Sequence, residues 1–282
     1  MGEDVIEAKF HALEKDGHHA VIVEVPLLQP IPDVQYSVAG LCVKAGIDII
    51  QIPIPIRFPW MYGERIQKIQ LLARENDILY KQSFEVLAGL IKRYPDSEFM
   101  PVGFYGGLQR MGQNNYISKC AELGIKIVDV PDYPVCHDHD PFGFVSELHK
   151  HNIDYVTCIS TDLALSAPGS KEYLHFCQVV SASHGFLFLL ASAGGKTGEK
   201  ASFDYESLAK AKEKIREVQK KIQSDCPIVA VCGISTPEQV RILTKEIGLH
   251  VMFGSALFSR MMKGDDNRSI YEFLESMKNA AN

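Results

Sequence analysis

The chain has 282 residues with 46% apolar content, enough for one large α/β barrel or two small domains around a sizeable core. Its formal charge of −6 excludes nucleic acid and anionic membrane as principal partners, because both need basic surface. No apolar run reaches the roughly 20 residues of a membrane span, and MGEDVIEAKF is acidic, without an apolar signal core. MGEDVI also lacks the Ser or Thr expected at the sixth position of a myristoylation signal, so a cytoplasmic protein is expected. Seven cysteines without a CxxC pair read as reduced thiols in a cytosolic core.

From near residue 20 onward, strand and helix patterns alternate. The strands are AVIVEV (20–25), DIIQIPI (48–54), FMPVGF (99–104), IKIVDV (125–130), DYVTCI (154–159), GFLFLL (185–190), PIVAVC (227–232) and HVMFG (250–254). All are short, apolar and rich in β-branched residues, as in strands covered on both faces. Amphipathic helices are predicted near 33–45, 64–93 (two segments), 113–123, 141–151, 170–182, 203–223, 237–246 and 268–280. Asp204 and Thr236, the latter followed by Pro237, have the character of N-caps. Eight strands joined by crossovers predict an α/β fold, a closed parallel TIM (β/α)8 barrel forming a single domain over 1–282. An open doubly wound sheet would need a glycine loop after the first strand, and VEVPLLQP has no glycine.

Three glycine signals fall at the ends of the last three strands: GGKTG (194–198), VCGIST (231–236) and FGSALF (253–258). Backbone N–H groups at such turns, with a helix N-terminus, hold a phosphoester dianion well. Gly198, Gly233, Gly254 and Ser255 are the expected phosphate-binding set, with a short helix beginning near Ala256 facing the anion. Lys196 could add charge, although a loop lysine is more often solvated.

The same segments resemble the tryptophan synthase α subunit family, the indole-3-glycerol-phosphate lyases, over roughly residues 19–260. AGIDIIQIPIPIRFPWMYGERIQ (45–67) is similar to the family's GADxxELGIPFSDPxADGPxIQ. GIKIVDVPDYP, AGGKTG, VCGISTPEQV and FGSAL are similar to GVDxxxVxDxP, AGVTG, GFGISxPEQV and VGSAx. The resemblance implies the barrel fold, the phosphate-binding role of Gly198, Gly233, Gly254 and Ser255, no cofactor, and a pyridoxal-phosphate-dependent β-like partner subunit. A homo-oligomer is also open.

The departures alter the expected chemistry. Gln51 stands where the resemblance places the catalytic glutamate, and Tyr62 where it places the catalytic aspartate. SDP has become Arg57-Phe58-Pro59. A carboxamide does not titrate near neutrality and cannot shuttle a proton, and loss of a general acid or base costs about 10²- to 10⁴-fold. Glu24 and Asp129 fall where the family has apolar lining. With Gln51, Tyr105, Cys158, Phe188 and Cys232 they would line a smaller, more polar pocket than an indole site. Carboxylates inside a barrel are expensive unless paired or solvated by ligand. Glu24 or Asp129 is therefore the expected proton-transfer group on a different phosphorylated substrate; the alternative is that both pair with lysines or backbone amides. Asp132 matches the family's strand 4 loop aspartate, near the partner subunit, and could equally cap the next turn.

Cys136-His137-Asp138-His139-Asp140 superficially suggests a metal site, but adjacent loop residues rarely converge on one ion, and no metal is expected. His18-His19 precedes strand 1, at the stability end of a barrel. Phe58, Pro59, Trp60, Met61 and Tyr62 form an aromatic loop suited to a lid, a partner anchor or a plain cover. Three readings compete: a lyase or isomerase with shifted catalytic residues, a non-catalytic activator of a β-like subunit, and the ordinary indole-3-glycerol-phosphate lyase.

Overall fold

The computed structural model describes residues 5–25, 32–54, 67, 80–133, 140–191 and 203–282. Its strands are β1 (Val21–Glu24), β2 (Ile49–Pro53), β3 (Glu98–Val102), β4 (Ile127–Asp129), β5 (Asp154–Ser160), β6 (Leu187–Leu190), β7 (Ile228–Val231) and β8 (His250–Phe253). Each pairs in parallel with the next, and β8 pairs with β1, so the sheet closes as a barrel. All eight strands expected from the sequence are present, within a few residues of their expected bounds.

The helices are α1 (Val5–Lys15), α2 (Pro32–Lys44), α3 (Tyr80–Arg93), α4 (Tyr105–Met111), α5 (Gln113–Glu122), α6 (Phe144–Lys150), α7 (Thr161–Ala164), α8 (Lys171–Ser181), α9 (Tyr205–Ile222), α10 (Pro237–Arg241, continuing as a π turn, Ile242–Glu246), α11 (Ser255–Lys263) and α12 (Asn267–Ala281). Local chemistry explains their bounds. Asp204 accepts from the Ser207 amide at 3.0 Å, and Thr236 with Gln239 forms a capping box with proline at the first position, so both expected caps are present. Along α9, Leu208, Ala211, Ile215 and Val218 recur on one buried face, the spacing that docks a helix on the sheet.

Side chains alternate between two cores. Outward-facing residues such as Val21, Val23, Ile50 and Val128 meet the helices. Ile22, Ile49, Met100, Ile127, Val156, Phe186, Phe188, Val229 and Met252 fill the lumen. Helix α1, not among the helices expected from the sequence, closes the N-terminal end of the barrel. Ile6 and Phe10 are fully buried in the lumen cluster, and Phe10 stacks on Phe186 at 5.4 Å. Burying such a side chain contributes about 2 kcal/mol.

Polar anchors hold that end together. The Ala20 amide donates to His250 Nδ1 at 2.9 Å, which leaves Nε2 as the protonated nitrogen facing Glu14 Oε1 at 3.1 Å. Asp48 Oδ2 accepts from the Val21 amide and from Lys278 Nζ, each at 2.7 Å. His19 packs beside His250, and burial holds its pKa down at about 4. The His18-His19 pair therefore lies at the stability end, as expected. No helix among the described residues is long and apolar enough to cross a membrane.

Candidate active site at the barrel mouth

Position on the strands selects the residues of the mouth. Strand periodicity places every second side chain in the lumen, so above Ile22 comes Glu24, above Ile49 comes Gln51, above Ile127 comes Asp129 and above Val156 comes Cys158. Glu24 and Gln51 are register partners across β1 and β2. The lumen is thus apolar through its middle and changes to carboxyls, an amide and thiols at the C-terminal ends of the strands, where barrel enzymes hold their sites.

Both carboxyls are buried, Glu24 and Asp129 each 6% exposed. Burial, reinforced by the neighbouring Asp129 charge, raises Glu24 to a pKa of about 8. Burial likewise raises Asp129 to about 7, against the opposing effect of a hydrogen bond from Gln51. That bond runs from Gln51 Nε2 to Asp129 Oδ2 at 2.8 Å. Among the described residues no ion pair joins either carboxyl to a lysine or arginine, and Glu24 Oε1 has no hydrogen-bond partner there. The pairing with lysines that would have made them purely structural is therefore not found among those residues.

Cys158 and Cys232 flank the carboxyls. Burial pushes the Cys158 thiol up, with the Cys232 and Asp129 charges adding to it, and burial with the Glu24 and Asp129 charges pushes Cys232 up to about 12. Neither is a thiolate nucleophile at neutral pH. Cys232 has φ +77° and precedes Gly233 at φ +85°. A non-glycine residue held there costs of order 1–3 kcal/mol, and such strain gathers at functional sites. The Cys-Gly dipeptide gave no sequence signal of this. Phe188 pairs with Cys158 across β5 and β6 and lies in the lumen cluster.

Tyr105 stands apart from this group. It opens α4 and packs in an outer aromatic cluster, 4.8 Å from Tyr133 and 5.7 Å from Phe144. Its hydroxyl donates to Gln113 Oε1 at 2.8 Å. Asp132 Oδ1 accepts from the Tyr105 amide at 2.6 Å, so it tethers the start of α4, 27 residues earlier in the chain, and not the turn next to it in sequence. Asp140, the last member of the Cys136–Asp140 run, accepts from the amides of Val145 and Ser146 at the start of α6. No group of metal ligands occurs among the described residues.

Of the glycine set, Gly233 and Gly254 follow β7 and β8, and Ser255 begins α11. Helix geometry leaves the first amides of α11 without partners inside the helix. Gly254 lies against Glu24: a Cβ built on it would stand 2.9 Å from Glu24 Cβ and 3.0 Å from Oε2. The carboxyl of β1 and the N-terminus of α11 thus share one corner of the mouth. Tyr62, Gly198, Lys196, the 57–63 aromatic loop and Cys136–His139 lie outside the described residues.

The comparisons with known proteins agree with this architecture. The chain is 27% identical over 232 residues to the tryptophan synthase alpha chain of Geobacillus kaustophilus (strain HTA426), covering 82% of this chain and 79% of that one. It is 24% identical over 279 residues to that of Thermoanaerobacter sp. (strain X514), covering 97% and 98%. The structure superposes on Mycobacterium tuberculosis tryptophan synthase with a TM-score of 0.82 at 17% identity over 99% and 98% of the two chains. On tryptophan synthase subunit alpha from Legionella pneumophila str. Paris the TM-score is 0.80 at 18% identity, over 99% of each. At such identities the superpositions speak to the fold. The family model described as tryptophan synthase alpha chain matches residues 10–282, and the chain belongs to that family.

Proposed function

We propose that this family member is a lyase or isomerase acting on a small phosphorylated compound, with proton transfer moved from the family's usual positions to Glu24 and Asp129. The observation that carries the reading is the pair of carboxyls buried in the lumen mouth with no cation beside them among the described residues. Burying an uncompensated carboxyl is costly, and a ligand that bonds it offsets the cost.

In this reading Gly198, Gly233, Gly254 and Ser255 hold the phosphate through backbone amides and the N-terminus of α11. Asp129, with a pKa of about 7, is divided between acid and base near neutrality, the condition that favours general acid–base catalysis. The Gln51 amide holds Oδ2 and leaves Oδ1 for the substrate. As a base, Asp129 takes the proton from a substrate hydroxyl or from a carbon beside a carbonyl. The electron pair released breaks the adjacent C–C bond or forms an enediol. Glu24, neutral up to about pH 8, returns a proton to the atom that gains the electrons. Gln51 positions; it does not titrate. Tyr62 at the former aspartate position has no carboxyl to contribute.

A second reading, a non-catalytic subunit that binds and activates a pyridoxal-phosphate-dependent β-like partner, rests on Gln51 and Tyr62 at the two expected catalytic positions. Solvent-deuterium exchange into a panel of C3–C5 sugar phosphates tests the first reading directly. Exchange with the native chain, lost in Asp129→Asn and in Glu24→Gln, supports it. No exchange with any member, together with co-elution with a β chain, supports the second. Indole release from indole-3-glycerol phosphate by the native chain would instead restore the ordinary family reaction.

A further inference from the structure

Three side chains of the mouth form one row. Glu24 and Gln51 are register partners on β1 and β2, which sets their backbones about 4.8 Å apart. Gln51 Nε2 in turn donates to Asp129 Oδ2 at 2.8 Å. Both carboxyls are buried, and Glu24 Oε1 has no hydrogen-bond partner among the described residues. An orphaned buried oxygen of this kind is retained where something outside the folded chain completes it. The groups around the row are acids too. The Asp129 charge acts on Glu24, Cys158, Cys232 and Tyr155, the Glu24 charge acts on Cys232, and the Asp132 charge acts on Asp129. A low-dielectric cleft lined by groups of one sign concentrates the opposite charge.

From the row of Glu24, Gln51 and Asp129 with its orphaned carboxyl oxygen, we infer that the substrate carries a primary ammonium group bound between Glu24 and Asp129, which makes it an aminoalkyl phosphate and not a neutral polyol phosphate. The inference deepens the reading above and rests on it for the phosphate; the nitrogen follows from the carboxyls alone. A hydroxyl brings one donor and no charge, and a carboxamide such as Gln51 would bind it without a charge to bury. A primary ammonium brings three donors and the charge that lets both carboxyls ionise inside the barrel. A metal ion would need further ligands, and no group of three occurs among the described residues. In the ammonium complex the proton assigned to Glu24 is carried on the nitrogen, held against the carboxylate, and the nitrogen returns it to the atom that gains the electrons. A site built to bond such a group rejects the analogue that lacks it far more strongly than an apolar pocket rejects an extra methylene.

The test is carboxyl-carbon NMR and calorimetry on the full chain with 2-aminoethyl phosphate, 2-hydroxyethyl phosphate, n-propyl phosphate and methylammonium. Tetramethylammonium, which has the charge and no donor, controls for ionic strength. The amino ester should bind at least tenfold tighter than either of the other two esters, which match it in size. The amino ester and methylammonium should each move the Glu24 titration down by about one pH unit or more, and tetramethylammonium should not. Glu24→Gln keeps the shape without the charge and should lose the preference for the amino ester. If the propyl or hydroxyethyl ester binds the native chain as tightly as the amino ester, the inference is overturned while the phosphate reading stands. If no ester binds, the phosphate reading falls and methylammonium alone decides: a Glu24 titration no different from that in tetramethylammonium overturns the inference as well. Should Glu24→Gln fail to fold, the native comparisons still decide.

Discussion

Gln51 on β2 and Asp129 on β4 are joined by a 2.8 Å hydrogen bond that passes inside the barrel, over the intervening strand β3. The amide that cannot carry a proton thereby governs a carboxyl that can. Gln51→Leu removes the donor and leaves Asp129 Oδ2 buried without it. We expect a loss of about 1–3 kcal/mol in chemical denaturation at pH 8. Because the Gln51 bond lowers the Asp129 pKa, its removal should move the basic limb of Asp129 titration upward, read by NMR of the carboxyl carbon. An unmoved titration would show that the bond does not form in solution.

Gln51→Glu tests the same contact with a charge. It places a second carboxyl at hydrogen-bonding distance from Asp129, and two such groups cannot both ionise cheaply. The melting temperature should match the native chain near pH 5, where the pair retains protons, and fall progressively below it toward pH 8. Adding Tyr62→Asp should create indole release from indole-3-glycerol phosphate if the remaining lining still accepts indole. Equal melting at both pH values would argue against the inward placement of residue 51.

The barrel was legible in the sequence because eight short apolar runs, each bounded by polar or glycine-bearing turns, allow few other topologies. Thr236-Pro237 and Asp204 announced their helices through local chemistry alone. What escaped was non-local. Helix α1 shows only Ile6, Phe10 and Leu13 as an apolar stripe, too short to distinguish a plug from a surface turn. The Gln51–Asp129 contact joins residues 78 positions apart, so nothing near either one signals it. Tyr105 follows strand 3 directly, yet the turn into α4 carries its ring outward to Tyr133 and Phe144. The inward placement of Glu24 and Asp129 was implied by the family resemblance, which sets both at positions of the pocket lining; the apolar runs alone, apolar on both faces, do not tell the lumen face from the outer one.

Glu24 should make the fold less tolerant of base. Its pKa rises from 4.5 to about 8 on folding. Below pH 4.5 it is protonated in both states. Between 4.5 and 8 only the unfolded state ionises, so stability falls as pH rises, at up to about 1.4 kcal/mol per unit. Glu24→Gln cannot ionise and removes that slope. The variant should therefore gain on the native chain steadily from pH 5 to pH 8 in urea denaturation. A pH-independent difference would mean that Glu24 is solvated in solution.

At the other end of the barrel, Glu14→Ala should cost stability without touching ligand binding. It strips the partner from His250 Nε2, and His250 is only 1% exposed, so about 1–3 kcal/mol is expected. Glu14, held down at about pH 2 by His250 and His11, contributes stability present above pH 4.5 and lost as pH falls through 2. The variant should therefore lose its deficit in acid while binding inorganic phosphate as the native chain does. A change in phosphate binding would mean that the α1 plug is coupled to the mouth.

Gly254→Ala probes the corner where Glu24 meets α11. The backbone at Gly254 has φ −146°, outside the positive-φ region that favours glycine. The obstacle is steric: the new methyl would stand 2.9 Å from Glu24 Cβ, an atom fixed to β1 that cannot swing away. Either β1 or the start of α11 must shift, at a cost of about 1–3 kcal/mol. If α11 holds a phosphate as proposed, a shift of the helix start misaligns the amides that would bind it, so phosphate ester affinity should drop at least tenfold. Gly106→Ala serves as the control, since nothing lies within 4 Å of its Cβ position, and it should leave affinity and stability close to native. Native affinity in Gly254→Ala, with the expected loss of stability, would count against α11 as part of the proposed phosphate site.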